Sequence, residues 1–397
     1  MSIPVLKLKR GEDRRLRAGH LWIFSNEVDT AATPLTQFEP GAAVQVLSDR
    51  DQFLGHAYVN PRTLIAARIV GRDPAYPLDA SLLVHRLRIA LSLRERLYRE
   101  PFYRLVYGES DGLPGLVIDR YGDVVVLQSG TAGIDRLRAE IEGAVVKVLG
   151  AVTLVWKNDS GARELEGLER SVTMGGAGEI PAEIAVREQG VDFIAPLAEG
   201  QKTGWFYDQA ANRERLRRYL PPGARVLDIC SYVGAWSITA LKNGAASATC
   251  VDSSATALDY VARNAAANGV TVDTMKADAF DALKALQESG AKFDVVILDP
   301  PAFAKRKKDA PQAAAAYRKL NQLALPLIDR DGFLVSCSCS YHMGADELAG
   351  SIQTAARHSS RFVQVLEQGG QSPDHPVHPA IPETRYLKAF FCRVTRE

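Results

Sequence analysis

Five short apolar runs in the C-terminal half of this 397-residue chain end on a group capable of chemistry. They are Asp228 after Val226-Leu227, Asp252 after Cys250-Val251, Asp278 in Ala277-Asp278-Ala279, Asp299 before Pro300-Pro301, and Cys339 within Ser336 to Ser340. Open parallel α/β sheets place ligands at the carboxyl ends of their strands, so these five positions predict one site. Asp228 and Gly234 bound a first strand-to-helix turn that would let the methionine part of S-adenosylmethionine (SAM) approach backbone. Asp252, 24 residues after Asp228, is positioned to accept hydrogen bonds from ribose hydroxyls. Asp278 would meet the adenine amino group. Taken alone, the 228–234 turn also fits a structural strand-turn-helix, because it holds one glycine where nucleotide loops usually hold several. That same poverty makes it a bad pyrophosphate cradle and argues against a nicotinamide dehydrogenase.

Asp299-Pro300-Pro301 is a rigid turn that aims the Asp299 carboxylate and the Pro300 carbonyl over the sheet edge. Exocyclic-amine methyltransferases use a similar turn with an aromatic residue directly after the prolines; here Ala302 holds that place and Phe303 follows. Cys339 points to other chemistry. Carbon 5 of a pyrimidine is a poor nucleophile until a thiolate adds at carbon 6 and makes an enamine. Buried cysteines are ordinarily small hydrophobes, the expectation for Cys230, Cys250, Cys337 and Cys392. Strand alternation sends Cys337 and Cys339 to one face, and only the more distal position of Cys339 separates them. Lys305-Arg306-Lys307-Lys308 would grip phosphates beside that turn, and solvated loop is an equal reading. Arg14, Arg15, Arg17 and His20 with Trp22 and Phe24 mix cations and aromatics as RNA surfaces do, and as ordinary β-domain exteriors also do. His375 and His378 lie among prolines with no further ligand nearby, so no metal site is expected.

The elements that must position these groups fall into three expected domains: 1–72, a small β domain; 73–190, α+β; and 191–397, α/β. The last alternates helices with seven strand candidates at 225–230, 248–252, 270–276, 294–299, 333–338, 362–367 and 387–394, which reads as a doubly wound Rossmann-like sheet. With 48 Lys plus Arg against 47 Asp plus Glu, no global field advertises a polyanionic partner, and a nucleic-acid surface must be local. Five cysteines, mostly in strand-like runs, suit a reducing cytoplasm. No export signal and no stretch of membrane-spanning length is expected.

The chain resembles the ribosomal large-subunit RNA 5-methylcytosine methyltransferases of the type I family essentially from end to end. Gly108 to Gly115 (GESDGLPG), Gln201 to Gly204 (QKTG) with Tyr207-Asp208-Gln209, Ser231-Tyr232, Asp299-Pro300-Pro301, Ser338-Cys339-Ser340 and Asp374-His375-Pro376 carry the likeness. Val233 stands where the family usually has Thr, and Ala235 where it often has Gly. The resemblance implies a β-barrel PUA domain, a central α+β domain and a SAM domain, with SAM as cofactor. It implies Cys339 as nucleophile, Lys202 and Thr203 near the cofactor pocket, and Tyr232 in the cofactor loop. The expected substrate is naked or partly assembled large-subunit RNA, since a target base must leave its stack. Asp299 would hydrogen-bond the flipped cytosine. Pro301, Phe303, Lys305 and Arg306 are expected on the substrate side with Tyr232, and Arg14, Arg15 and Trp22 on an RNA surface. Two rivals stay open: an RNA exocyclic-amine N-methyltransferase, and an inactive RNA-binding assembly factor. A homodimer is possible.

Overall fold

The computed structural model describes residues 3–198, 200, 203–304 and 306–396. Lys202 and Lys305 lie outside the described residues. The chain divides into two compact units: Met1–Ile184 with Pro196–Trp205 and Asp374–Thr384, and Ala185–Ala195 with Phe206–Pro373 and Arg385–Glu397. The expected boundary after residue 190 thus falls inside a hairpin, β11 (Glu183–Glu188) and β12 (Val191–Pro196).

In the first unit, β1 (Val5–Lys7), β2 (Trp22–Phe24), β3 (Ala42–Leu47), β4 (Phe53–Val59) and β5 (Ile65–Gly71) form a sheet in the order β1-β3-β4-β5-β2. Helix α1 (Arg14–Arg17) precedes β2, and Leu6, Ile23, Val44, Val46, Val59 and Ile69 build the core. Helix α2 (Ala80–Leu97) starts at Asp79, whose side chain accepts from the Leu82 backbone N–H and so caps a first-turn donor. Its Leu83, Leu87 and Ala90 pack on a second sheet ordered β10-β9-β8-β7-β6. These strands are β6 (Phe102–Tyr107), β7 (Leu116–Tyr121), β8 (Val124–Ser129), β9 (Thr153–Asn158) and β10 (Ser171–Gly175), with α3 (Ala132–Arg136) and α4 (Arg138–Leu149) between β8 and β9.

A buried ionic network ties two distant motifs into this unit. Arg104 forks onto Asp119 at 2.8 Å through both contacts, and the Thr203 hydroxyl donates to the same carboxylate at 2.5 Å. Asp374 accepts from the Arg104 backbone N–H, His375 Nδ1 lies 2.8 Å from Asp374, and Arg94 bridges Asp111 to the Asp374 carbonyl. Buried charges persist only when paired in this way.

The second unit holds α5 (Ala210–Leu216), β13 (Arg225–Ile229), α6 (Ala235–Lys242), β14 (Ser247–Asp252), α7 (Ala255–Ala267), β15 (Asp273–Lys276) and α8 (Ala279–Glu288). It continues with β16 (Phe293–Leu298), α9 (Ala310–Ala324), β17 (Ile328–Ser338), α10 (Ala345–His358), β18 (Arg361–Gly370) and β19 (Lys388–Arg396). The sheet order is β15-β14-β13-β16-β17-β19-β18, parallel except for β19, which is antiparallel to both neighbours. Helices on both faces explain why β13 and β16 read as continuous apolar runs, with Val226, Leu227, Ile229 and Val295 to Leu298 all buried. No helix among the described residues is long and apolar enough to cross a membrane.

Candidate active site

The parallel register brings all five sequence-predicted groups to one sheet edge, with Asp278 two residues past the end of β15. Asp228 pairs with Cys250 and Ile297, Asp252 with Lys276, and Leu298 with Ser336, so Asp228, Asp252, Asp299 and Cys339 all lie at the carboxyl ends of neighbouring strands. The strand order reverses between β13 and β16, the switch point where such sheets open a crevice.

The turn after β13 is strained. Cys230 and Tyr232 adopt left-handed φ values of 64° and 50°, which cost of order 1–2 kcal/mol each for residues with a Cβ. Asp252 holds the turn, accepting from the Tyr232 backbone N–H through Oδ2 and from Ser254 through Oδ1, each at 2.9 Å. Gly234 opens α6 at φ 84°, and a Cβ there would come within 3.2 to 3.3 Å of Ile238 and Val261. Val233 is fully buried and its carbonyl accepts from Asn264, so an apolar residue serves this turn as packing.

Asp228 is wholly buried. Its Oδ2 accepts from the Ser237 hydroxyl at 3.0 Å, while Oδ1 has no hydrogen-bond partner among the described residues. Burial pushes its pKa up to about 7, with the charges of Asp299 and Asp252 adding to the effect and the Ser237 bonds opposing it. An orphaned buried carboxylate oxygen beside a strained, glycine-ended turn fits a ligand carrying an ammonium group, as the methionine part of SAM does. Asp278 is exposed and caps α8 by accepting from the Phe280 backbone N–H at 2.8 Å, so one of its oxygens is already engaged.

Asp299 accepts from Gln209 Nε2 at 2.8 Å and from Trp236 Nε1 at 3.0 Å. Burial raises its pKa, Asp208 adds to that, and the Trp236 bond, Arg213 and Gln209 pull the other way. Pro300 is buried and Pro301 exposed. Phe303 packs 4.8 Å from Tyr317 and 6.4 Å from Phe280 by ring centroids, which makes it part of an aromatic cluster. Tyr232 stands edge-on to Phe206 at 5.3 Å. Arg306 pairs with Asp309 on an exposed segment.

Cys337 and Cys339 separate clearly. Cys337 is fully buried, packed with Val335, Ala389 and Phe391, and burial holds its thiol far above the ordinary range. Cys339 lies one residue beyond β17 and is half-buried.

Three groups escaped sequence reading as site residues: Gln209 and Trp236, which hold Asp299, and Lys388. The last carried a signal, a lysine inside the apolar run Leu387 to Cys392. Thr203 and Arg14, Arg15 and Trp22 belong to the first unit. There Arg15 is held by Glu27 at 2.6 Å and lies over Phe24, Trp22 Nε1 donates to Glu109 at 2.9 Å, and Arg14 is exposed. Among the described residues no cluster of His, Cys, Asp and Glu could hold a metal.

Comparison with known proteins bears on this geometry. Residues 6–72 match a PUA-like domain and residues 171–392 an S-adenosylmethionine-dependent methyltransferase. Ribosomal RNA large subunit methyltransferase I of Erwinia tasmaniensis is 35% identical over 397 residues, 98% of this chain and 99% of that protein. The protein of the same name from Escherichia coli is 34% identical over 402 residues, 99% of this chain and 100% of that one. Among solved structures, SMU.776 in complex with SAH superposes with a TM-score of 0.82 at 22% identity, over 99% of this chain and 100% of that one, a likeness of fold.

Proposed function

This chain belongs to the SAM-dependent ribosomal RNA large subunit methyltransferase I family, and from that membership we propose that it forms 5-methylcytosine in large-subunit ribosomal RNA through a covalent adduct at Cys339. The observation that carries this reading is the placement of Cys339: half-buried, just beyond a strand end, with Asp299 ending the neighbouring strand. The first unit's β domain, with exposed Arg14, would supply RNA affinity away from the chemistry.

When bound, SAM supplies an electrophilic methyl group. Asp228 would hold its ammonium group, Asp252 its ribose hydroxyls, and Asp278 and Pro300 the remainder of its pocket. The Cys339 thiolate adds to carbon 6 of a cytosine extruded from its stack, and the electron pair moves onto the ring. Asp299 bonds the ring edge and shares a proton with its nitrogen, which favours that addition. After carbon 5 is methylated, loss of its proton returns the electron pair and expels the thiolate. Nucleoside mass spectrometry of RNA incubated with the protein and labelled SAM tests the product: methyl label on carbon 5 of cytidine is expected, and label on an exocyclic nitrogen would replace this reading.

The acids give two measurable consequences. Asp252→Ala removes a charged acceptor and should weaken SAM by roughly 1.5 to 3 kcal/mol by calorimetry, and an unchanged affinity would displace Asp252 from the ribose. Asp228 keeps its proton in the folded protein up to about 7, whereas the unfolded chain releases it near the ordinary carboxyl value. Folding stability from this group therefore falls as pH rises through that window. SAM affinity should move oppositely, rising by up to about tenfold per unit toward pH 7 as the carboxylate that pairs with the ammonium forms. Asp228→Asn should flatten both profiles; a sloping profile in that variant would assign the proton elsewhere.

A further inference from the structure

Lys388 is 8% exposed in a strand of buried apolar residues. Its Cα pairs with that of Ser338 across the β17–β19 ladder, which puts it beside the position before Cys339. Nζ donates to the Ser340 carbonyl at 2.5 Å and to the Tyr386 carbonyl at 2.9 Å. Among the described residues no carboxylate stands within ion-pair distance of it. A buried ammonium held only by carbonyls is costly, and the β19 residues that follow it, Ala389 to Cys392, are buried and apolar. Two N–H groups are spent on carbonyls, so the third position on nitrogen is the one at which a proton can come and go.

We propose that Lys388 is the positioning residue of Cys339: its amine takes the thiol proton, and the ammonium so formed holds the thiolate until it adds to carbon 6. The S–H bond breaks as an N–H bond forms, both partners change charge together, and the same proton returns when the thiolate is expelled. This rests on Cys339 being the nucleophile. The groups facing the pair support it. Burial pushes Lys388 down to about 8, while a thiolate at Cys339 and the Glu347 carboxylate on α10 pull it back up. Around Cys339, burial raises both the Tyr317 phenol, which accepts from Ser338 at 2.9 Å, and the Cys337 thiol, so both are neutral at neutral pH. Lys388 is a buried cation close enough to the thiol to feel its charge.

The test reads the thiol without RNA. Iodoacetamide modification of Cys339, resolved from the other cysteines by peptide mass spectrometry, is followed against pH in the full-length protein. The wild-type midpoint should lie below the ordinary thiol value of about 8.5, and Lys388→Met should raise it by about one unit or more. Lys388→Arg, which keeps a cation, should restore a low midpoint. A Lys388→Met midpoint within about 0.3 unit of wild type would overturn the proposal. Should Lys388→Met lose SAM binding, and with it evidence of folding, the reciprocal measurement decides: the Lys388 side-chain nitrogen, titrated by NMR, should shift to lower pH in Cys339→Ala. No shift there also overturns it. Since neither readout involves methylation, failure removes Lys388 and leaves the carbon 5 reading to the adduct experiment.

Discussion

Cys339→Ala is expected to lose methyl transfer by roughly a thousandfold or more while still binding SAM, because the carbon 5 nucleophile never forms without the thiolate. Substrate RNA carrying 5-fluorocytidine should trap the step, since fluorine cannot leave as the carbon 5 proton does. Wild type with SAM should give a slow-migrating protein–RNA band, and Cys339→Ala should give none. Cys337→Ala provides the contrast. That thiol is sealed in the core against Ala389 and Phe391, so its loss trims packing and costs about 1 kcal/mol of stability with the band intact. Full activity in Cys339→Ala would promote the exocyclic-amine reading of Asp299-Pro300-Pro301. Loss in Cys337→Ala alone would keep the chemistry and move it to the other thiol.

The second unit's sheet was legible because its strands are buried on both faces: 226–229 and 295–298 read as unbroken apolar runs, and all seven strand candidates are present. The boundaries that moved have physical causes. β17 begins at Ile328 rather than 333 because Ile328 pairs with Phe293 of β16 and Asp331 with Thr395 of β19, partners that sequence spacing does not reveal. β15 is shorter than expected, starting at Asp273; as an edge strand with mostly exposed residues it has little apolar pattern to announce it. β18 runs on to Gly370 through Gly369-Gly370, residues that suggest a break, because β19 pairs with it along that length.

The site was legible in its acids and thiol, which are strand ends, and illegible where partners come from afar. Nothing local says that Gln209 and Trp236 converge on Asp299, since each lies in a different element and only the sheet order brings them together. The Asp374-His375-Pro376 motif was visible as a motif, and its role was not. In the first unit it closes an ionic network with Arg94 and Arg104, so its histidine is a structural partner of Asp374. Phe303 was expected beside the substrate from its place after the prolines, and its packing against Tyr317 depends on α9, which sequence spacing does not locate.

Asp299→Asn is expected to lower kcat by about 10²- to 10⁴-fold, the range for removing a positioned proton carrier. The carboxylate takes two donors, Gln209 Nε2 and Trp236 Nε1, and both point at oxygen. Asparagine offers one oxygen and one NH₂, so one donor must face another. Trp236 has no acceptor to present in exchange, and Gln209 could turn its amide only by giving up the Asn212 bond to its oxygen. The variant therefore loses both the shared proton and some of the geometry. Two further readings separate these losses. Asp299→Ala removes the mismatch along with the carboxylate, so a proton role predicts that it is as impaired as Asp299→Asn, whereas a purely geometric role predicts partial recovery. Adduct formation with 5-fluorocytidine RNA should slow in step with methylation in both variants, because the carboxyl group is proposed to assist thiol addition and not only the later transfer. Normal adduct formation with lost methylation would move Asp299 to the cofactor side of the reaction.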